Sequence, residues 1–315
     1  MLNAIIPFCC DLLLPLIFGF LLRRLALLNS KIMDRMMLAQ LFVLLPISTS
    51  LSFWVVRIEP ILLGLPFLGA LMNLLPGGIA LSFFRRRFRN PPEQGSYVLS
   101  AMLVNRGIVG AISVFLIFGE TGYAYAQLTM MLAPPIIYLL GFQLAQHFNR
   151  IGNHRSIARV SFKSLFFNPR QLPVLGMIVG LVLNICNIPR PRQLGQMLPF
   201  LIHIGAWLFL VPIGYSFNPS RIRPYVFKIW DVLIIRHIIT PGMIALIGYL
   251  VGYRETALAC LVVLSGSPVA TTAVVVSKLF DLNTDLASSG FLVSTLLYLF
   301  LMFPLYYLLI RYVFL

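Results

Sequence analysis

The sequence predicts an all-α protein that crosses a lipid bilayer many times. Hydrophobic residues make up 59% of the 315 residues and charged residues only 10%, and the mean hydropathy is +0.92. A soluble domain is about 45–50% apolar and about 25% charged, and a transmembrane helix needs about 20 apolar residues. The composition therefore excludes an ordinary soluble enzyme, a disordered tail and a coiled coil, and it accommodates on the order of ten membrane helices.

Apolar runs bounded by charges and turn residues mark the predicted helices. Each run is apolar on every side, whereas strands of a membrane β-barrel alternate polar and apolar residues. The runs therefore predict a polytopic protein with ten transmembrane helices. They are 3–22, 33–53, 60–84, 96–118, 124–146, 172–188, 195–216, 229–252, 256–279 and 286–312.

The distribution of lysine and arginine predicts the orientation. Of the 24 basic residues, 17 lie in loops after the odd-numbered runs, 5 lie on the other side, and Arg106 and Arg236 lie inside runs. Cytoplasmic loops carry the basic excess, so we expect an inner-membrane protein with both termini outside. The longest loop, 147–171, is then cytoplasmic, as a short surface helix or a solvated linker. The same loops explain the net charge of +15, so nucleic acid is not an expected partner.

Short matches between the two halves of the chain indicate a duplication. Leu44-Leu45-Pro46-Ile47-Ser48 resembles Leu210-Val211-Pro212-Ile213-Gly214 at an offset of 166, and two further matches have offsets of 158 and 169 in the same order. We therefore predict five-helix repeats at 1–146 and 172–315, joined by the basic linker 147–171. Because five is odd, the repeats must be inverted, which is typical of transporters with a site at broken helices near the midplane.

The fourth run of each repeat is predicted to be broken, and the two broken helices are predicted to cross. Asn105-Arg106-Gly107-Ile108-Val109-Gly110 and Ser265-Gly266-Ser267-Pro268 place helix-weakening residues in mid-run. Backbone groups freed at membrane depth are tolerated only inside protein or beside a cavity. The alternative is close helix packing by small residues. The predicted substrate-binding residues are Asn105, Arg106, Gly107, Gly110, Ser265, Ser267, Pro268, Thr271 and Thr272.

Arg106 is a charge near mid-depth of its run, where an arginine costs at least ~2.5–3.5 kcal/mol. Its guanidinium fork suits a carboxylate, so one hypothesis is that it binds an anionic substrate. The other is an ion pair with Asp11 in the first run. Arg106 lies about 18 Å and Asp11 about 9–12 Å from the outer end, and the length of the arginine side chain could bridge that difference if the two helices touch. Both hypotheses stay open at this point, with Asp11 also a candidate coupling residue.

Three other polar residues inside runs have simpler interpretations. Arg236 and His237 lie about two turns from the cytoplasmic end of the eighth run, by the rise of a helix, so we expect Arg236 to extend its side chain to the interface. His203 in the seventh run could relay protons, although a hydrogen-bonded interior histidine is more common. Cys9, Cys10, Cys186 and Cys260 lie in apolar runs without metal-ligand spacing.

Enzyme signatures are missing from the sequence. No Gly-rich phosphate loop, His-Glu-x-x-His motif or Gly-x-Ser-x-Gly motif occurs. We therefore expect no enzyme activity, no catalytic residue, no cofactor and no metal site. Without an ATP-binding motif, any transport is expected to be secondary or passive.

Several short motifs, taken together, resemble the auxin efflux carrier family, whose bacterial members include malonate-type and other organic-acid permeases. Asn105-x-Gly107-x-x-Gly110 followed by Phe118-Gly119-Glu120 is similar to that family's fourth helix, although its usual proline is Ile112 here and Arg106 adds a charge. The other similar motifs are Gly19-Phe20-Leu21-Leu22-Arg23-Arg24, Leu45-Pro46, Asn168-Pro169, Pro268 and Ser294-Thr295-Leu296. The resemblance implies a scaffold from helices 1, 2, 6 and 7 and a moving unit from helices 3–5 and 8–10.

The leading functional hypothesis is a secondary transporter, a permease or efflux carrier of small organic anions that works by elevator-like alternating access. Expected partners are the anion, the bilayer, H⁺ or Na⁺ as candidate coupling ions and, as an option left open, a second copy of the chain. One alternative is a cation/proton antiporter of similar architecture, which would need a buried acid at the crossing. Another is a membrane receptor or signalling subunit that does not transport.

Overall fold

The computed structural model describes residues 9–25, 29–57, 59–153, 172–216, 220 and 223–313. Most of the predicted basic linker, residues 154–171, lies outside the described residues. Within the described ranges the chain is helical and contains no strand, apart from one isolated antiparallel β-bridge between Val104 and Val269. The predicted all-helical class is therefore confirmed.

The helices follow the apolar runs closely. Their bounds are α1 (9–24), α2 (Ser30–Phe53), α3 (Pro60–Arg87), α4 (Pro91–Met102), α5 (106–118), α6 (120–153, with a turn at 131–132), α7 (Leu172–Ile185), α8 (Arg192–Ser216), α9 (Trp230–Val251), α10 (Glu255–Ser265), α11 (Thr271–Leu279) and α12 (284–313).

Six helical stretches in the described residues are long and apolar enough to cross a membrane by length and composition. They are Ser30–Phe53, Pro60–Arg87, Arg106–Gly152, Arg192–Ser216, Trp230–Val251 and Thr284–Tyr312. Leu172–Ile185 and Glu255–Ser265 are shorter apolar helices. This composition of apolar helices is that of a polytopic, integral membrane protein.

Gly119 separates α5 from α6 inside the third of these stretches. Its φ of 62° and ψ of −144° are not helical. A Cβ built on Gly122 would meet the carbonyl oxygen of Val114, eight residues earlier. In a straight helix these two residues would lie about 12 Å apart, so the chain reverses direction at Gly119. Only glycine adopts this conformation without strain.

Four helices accommodate a proline by widening the turn before it. A proline lacks the N–H and its ring clashes with the carbonyl four residues earlier. In each case that carbonyl lies in the middle of a five-residue π-turn, which moves it away from the ring. The turns and their prolines are Cys9–Leu13 with Pro15, Gln40–Leu44 with Pro46, Ile235–Ile239 with Pro241 and Tyr298–Met302 with Pro304.

The chain forms two compact units. Unit 1 consists of Met1–Glu59, Ile112–Gln127 and Phe166–Phe217, and unit 2 of Pro60–Ala111, Leu128–Leu165 and Asn218–Leu315. Unit 1 contains the runs that the family resemblance assigns to the scaffold, and unit 2 contains those that it assigns to the moving unit. The exception is residues 112–127, which come from the fourth and fifth runs and belong to unit 1. Each unit therefore combines segments from both halves of the sequence.

Small residues bring the helices of unit 1 together. α1 packs on α8, and α2 packs on α7. Gly19 lies against the backbone of Val211, and Gly214 lies against the backbone of Leu16. At the second pair of helices, Gly176 lies against the backbone of Pro46. Small residues at such contacts allow backbones to approach closely, which is the usual mode of helix association in a bilayer.

Candidate site at the crossing of two broken helices

Two broken helices of unit 2 meet through their extended segments. α4 ends at Met102 and α5 begins at Arg106, while α10 ends at Ser265 and α11 begins at Thr271. The amide of Asn105 donates to the carbonyl of Pro268 at 2.8 Å, and the amide of Ala270 donates to the carbonyl of Leu103 at 2.8 Å. The breaks predicted in the fourth and ninth runs are therefore present.

This arrangement brings four helix ends of opposite polarity into one region. The carbonyls at the carboxyl ends of α4 and α10 and the amides at the amino ends of α5 and α11 are the groups that a helix cannot pair within itself. We call the carbonyl oxygens of Ala101, Ser265 and Ser267 the carbonyl pole, and the first turns of α5 and α11 the amide pole. The carbonyl pole favours a cation and the amide pole favours an anion.

Arg236 occupies the carbonyl pole. Its Nη1 donates to the carbonyl of Ala101 at 3.2 Å, and its Nη2 donates to the carbonyls of Ser265 at 3.4 Å and Ser267 at 2.7 Å. Its Nε also donates to the Ser267 carbonyl, at 3.3 Å. The side chain is fully buried. The expectation that Arg236 extends to the interface is therefore wrong, because the unpaired carbonyls provide it with acceptors inside the protein.

His237, the next residue, binds a further carbonyl beside the carbonyl pole. Its Nδ1 lies 2.7 Å from the carbonyl of Gly266, and because a carbonyl can only accept, Nδ1 carries the hydrogen. The carbonyl of His237 is the one freed by Pro241, and it accepts a hydrogen bond from the Tyr306 hydroxyl at 2.7 Å. A Cβ at Gly266 would collide with that same hydroxyl. Together, Arg236 and His237 bind the three consecutive carbonyls from Ser265 to Ser267.

Arg106 lies at the first position of α5 and is also fully buried. Its Nη1 donates to Oδ1 of Asn73 on α3 at 2.5 Å, and its Nη2 donates to the carbonyl of Thr129 on α6 at 3.1 Å. Its Nε has no hydrogen-bond partner, and neither has Nδ2 of the adjacent Asn105. The adjacent residues Asn105 and Arg106 therefore each have one buried donor nitrogen without an acceptor.

The glycines and serines of the predicted site have packing roles. A Cβ on Gly110 would collide with Oγ of Ser267, and a Cβ on Gly107 would lie 2.9 Å from Cε of Met130. The Ser265 and Ser267 hydroxyls donate back to the α10 carbonyls of Val262 and Val263, at 2.9 and 3.2 Å. These hydroxyls are engaged within their own helix, so the serines contribute to the crossing mainly through their carbonyls.

The remaining predicted residues lie at the ends of the extended segment. Pro268 is buried and its carbonyl accepts from Asn105. Thr271 and Thr272 are the first two residues of α11 and are half-buried. The N-cap residue of α11 is Ala270, which makes no side-chain cap hydrogen bond. All nine predicted substrate-binding residues belong to unit 2.

Asp11 has a different partner from the one that the sequence suggested. Its Oδ2 lies 2.5 Å from Nδ1 of His203, which connects α1 to α8 within unit 1. The His203 ring also contacts the ring of Phe115 edge-on, with centroids 6.1 Å apart. Arg106 donates to Asn73 and Thr129 within unit 2, so Asp11 and Arg106 each have a partner in their own unit.

Asn73, Arg236 and His237 are the residues of the crossing that sequence reasoning missed. A signal existed for Asn73, which is the one polar amide in the apolar run 60–84 and is 2% exposed. Arg236 offered the same signal as Arg106, a charge inside an apolar run. No group of three or more His, Cys, Asp or Glu side chains that could hold a metal ion occurs in the described ranges.

Comparisons with known proteins point to transport. No family model matches the chain. The chain is 25% identical over 233 residues to an uncharacterized transporter of Methanothermobacter thermautotrophicus, and the match covers 74% of each protein. It is 26% identical over 239 residues to an uncharacterized transporter of Methanocaldococcus jannaschii, again with 74% of each covered. These two distant homologues, together with the apolar helical fold, support a transporter family for this integral membrane protein.

Proposed function

We propose that the protein is a secondary transporter of small organic anions and that the anion binds at the amide pole of the crossing. The observation that carries this proposal is the charge balance there. Arg106 and Arg236 are both fully buried, and among the described residues neither forms an ion pair with a carboxylate. Arg236 neutralises the carbonyl pole, so the charge of Arg106 at the amino end of α5 is a buried positive charge that no carboxylate balances.

The donors at the amide pole suit a carboxylate. Asn73 and Thr129 hold the two terminal nitrogens of Arg106, so the orientation of its guanidinium is fixed before a ligand arrives. Its Nε and the Nδ2 of Asn105 are buried without acceptors. Charge-assisted hydrogen bonds to such preorganised donors are roughly twice as strong as neutral ones. A small organic acid would supply the missing acceptors and the missing negative charge.

The wider mechanism is part of the same proposal. Two observations support inverted five-helix repeats at 1–146 and 172–315. They are the resemblance to the auxin efflux carrier family and the short similar motifs that recur in the same order in the two halves of the sequence. In an elevator-like cycle, unit 2 would carry the bound anion across the inner membrane. The basic excess of the loops after the odd-numbered runs supports both termini outside. We propose no enzymatic step, in keeping with the two homologues named as transporters.

The two alternatives fit the molecule less well. A cation/proton antiporter would need a buried acid at the crossing, whereas the charged residues there are Arg106 and Arg236. A receptor or signalling subunit that does not transport is disfavoured by the names of the two homologues.

Uptake by purified protein in liposomes, screened over mono- and dicarboxylates, tests the proposal. We expect saturable uptake of at least one carboxylate. Arg106→Ala should reduce it by about 10–100-fold, since hydrogen bonds to charged groups contribute about 1.5–3 kcal/mol. Arg106→Lys should give a partial loss, because it keeps the charge and loses the planar fork.

The control is Arg192→Ala at the exposed start of α8, which should transport normally. Thermal melting and size-exclusion profiles establish that each variant folds. Full carboxylate uptake by a folded Arg106→Ala variant would contradict the role of Arg106. Selective uptake of organic cations, with no carboxylate transported, would contradict the proposed substrate class.

A further inference from the structure

We propose that Arg236 is a built-in cation that occupies the place of a coupling Na⁺ at the helix crossing, so that transport is independent of Na⁺. This inference rests on the proposed function in taking the crossing as the transport site. At broken helices in transporters, unwound carbonyls and the carboxyl ends of half-helices coordinate Na⁺. Here those groups already bind a cation that belongs to the chain.

Five carbonyls at the crossing have an identified donor. Ala101 lies in the last turn of α4 and Ser265 is the last residue of α10, so neither carbonyl has a partner within its helix. Both accept from Arg236, and so does the carbonyl of Ser267. The Gly266 carbonyl accepts from His237, and the Pro268 carbonyl accepts from Asn105.

One guanidinium therefore bridges both broken helices. Four N–H···O contacts of 2.7–3.4 Å join Arg236 to three carbonyl oxygens, of which Ala101 belongs to α4 and Ser265 to α10. Neutral carbonyl oxygens around a single positive charge are the ligands that hard cations take in proteins. The side chain of Arg236 would exclude a second cation from this place sterically, and its positive charge would repel it.

A tethered cation differs from a bound ion because it cannot dissociate. The carbonyl pole is therefore neutralised at every Na⁺ concentration, and a Na⁺ gradient has no site through which to act there. The amide pole stays positive throughout the cycle, which keeps the crossing suited to an anion. If Arg236 is removed without replacement, its three carbonyl acceptors become free, and an alkali cation of suitable size can bind them.

The experiment is thermal melting of the purified protein in NaCl, KCl and choline chloride at equal ionic strength. For the wild type and for Arg236→Lys, which keeps a cation at the pole, we expect the same Tm in all three salts within about 1 °C. For Arg236→Ala and Arg236→Met we expect a Tm in choline chloride that is lower than that of the wild type in the same salt. A saturable rise of at least about 3 °C should follow in one of the alkali salts, because a ligand that binds the folded state raises Tm.

Arg106→Ala is the matched control, because it removes an equally buried arginine of unit 2 that does not contact the carbonyl pole. Its Tm should not discriminate between the salts. Selective stabilisation of the wild type by Na⁺ would overturn the proposal even if neither truncated variant folds. Truncated variants that fold and show the same Tm in all three salts would overturn it as well.

This test and the test of the proposed function can fail separately. Melting in different salts uses no substrate, so the assignment of Arg236 can hold although no carboxylate is transported. Conversely, carboxylate uptake that requires a Na⁺ gradient would retain the anion transporter and contradict the role of Arg236. Carboxylate uptake by wild-type protein that is equal in Na⁺ and choline media would support both.

Discussion

At the scale of single residues, the protein deals with buried charge in two ways. The partners of Arg106 and Arg236 are backbone carbonyls and one amide oxygen, so no carboxylate balances either charge, and Nε of Arg106 has no acceptor. Asp11 and His203 instead form a pair between α1 and α8. The two arginines therefore create a positive electrostatic potential that can attract an anionic ligand. The Asp11–His203 pair has no net charge when the histidine is protonated.

The Asp11–His203 pair should behave as a coupled unit in a double-mutant cycle. Asp11→Asn and His203→Gln should each lower the stability by about 1–3 kcal/mol, because each leaves one polar group without its partner. The double variant should be less destabilised than the sum of the two, with a coupling of about 0.5–3 kcal/mol. Melting temperatures of the four proteins measure this coupling.

His147→Gln serves as the control for that cycle, since His147 is exposed and should have little effect. Strictly additive losses for Asp11→Asn and His203→Gln would show that the two side chains do not interact in solution. The side chain of His203 is 40% exposed, which is why the expected loss is smaller than that for a fully buried pair.

At the scale of helices, four of the seven π-turns in the described residues accommodate a proline. A π-turn precedes Pro15, Pro46, Pro241 and Pro304 by the same number of residues. α5 also opens with a π-turn, Arg106–Gly110, although Ile112 stands where a proline would complete that pattern.

Gly119→Ala should destabilise the protein although there is room for the new methyl group. No atom lies within 4 Å of a Cβ built there, but the φ of 62° is a conformation that other residues rarely adopt. The cost is on the order of 1–3 kcal/mol. Thermal melting of the purified variant measures it.

Gly78→Ala is a matched control, because Gly78 also has open space but lies in the helical part of α3. We expect it to be neutral or stabilising, since alanine is the better helix former by about 1 kcal/mol. Equal effects of the two changes would mean that the reversal at Gly119 does not depend on its backbone conformation.

At the scale of the whole molecule, the loops predict which side of the membrane each end of a helix faces. The loop with Arg89 follows α3 and belongs to the basic set, whereas Arg254 follows α9 and belongs to the other set. Both residues are exposed. Cytoplasmic loops carry the basic excess, so Arg89 should face the cytoplasm and Arg254 the outside.

Single cysteines at these positions test the orientation. In a background without Cys9, Cys10, Cys186 and Cys260, Arg89→Cys should be protected from an impermeant thiol reagent in intact cells and should react after permeabilisation. Arg254→Cys should react without permeabilisation. Reaction of both cysteines from the same side would refute the inverted repeat, because the number of crossings between the two positions would then be even.

The sequence by itself determined the features that depend on local composition. Apolar runs located the helices, because burial in lipid requires about 20 apolar residues in a row. Glycine and proline indicated breaks at Asn105–Gly110 and Ser265–Pro268, because these residues weaken a helix. The structure has the breaks at 103–105 and 266–270, so the sequence located the first one only to within a few residues. A charge in mid-run identified Arg106 as a residue that needs a partner.

Only the tertiary structure decided which partners these residues have. Arg106 contacts Asn73 and Thr129, Asp11 contacts His203, and Arg236 contacts Ala101, Ser265 and Ser267. None of these pairs is close in sequence, so no local pattern encodes them. Arg236 is the clearest case, because its acceptors are backbone carbonyls and every residue has one. The ends of α4 and α10 leave such carbonyls without a partner in their own helix. Only the crossing of α4–α5 with α10–α11 brings them close to each other.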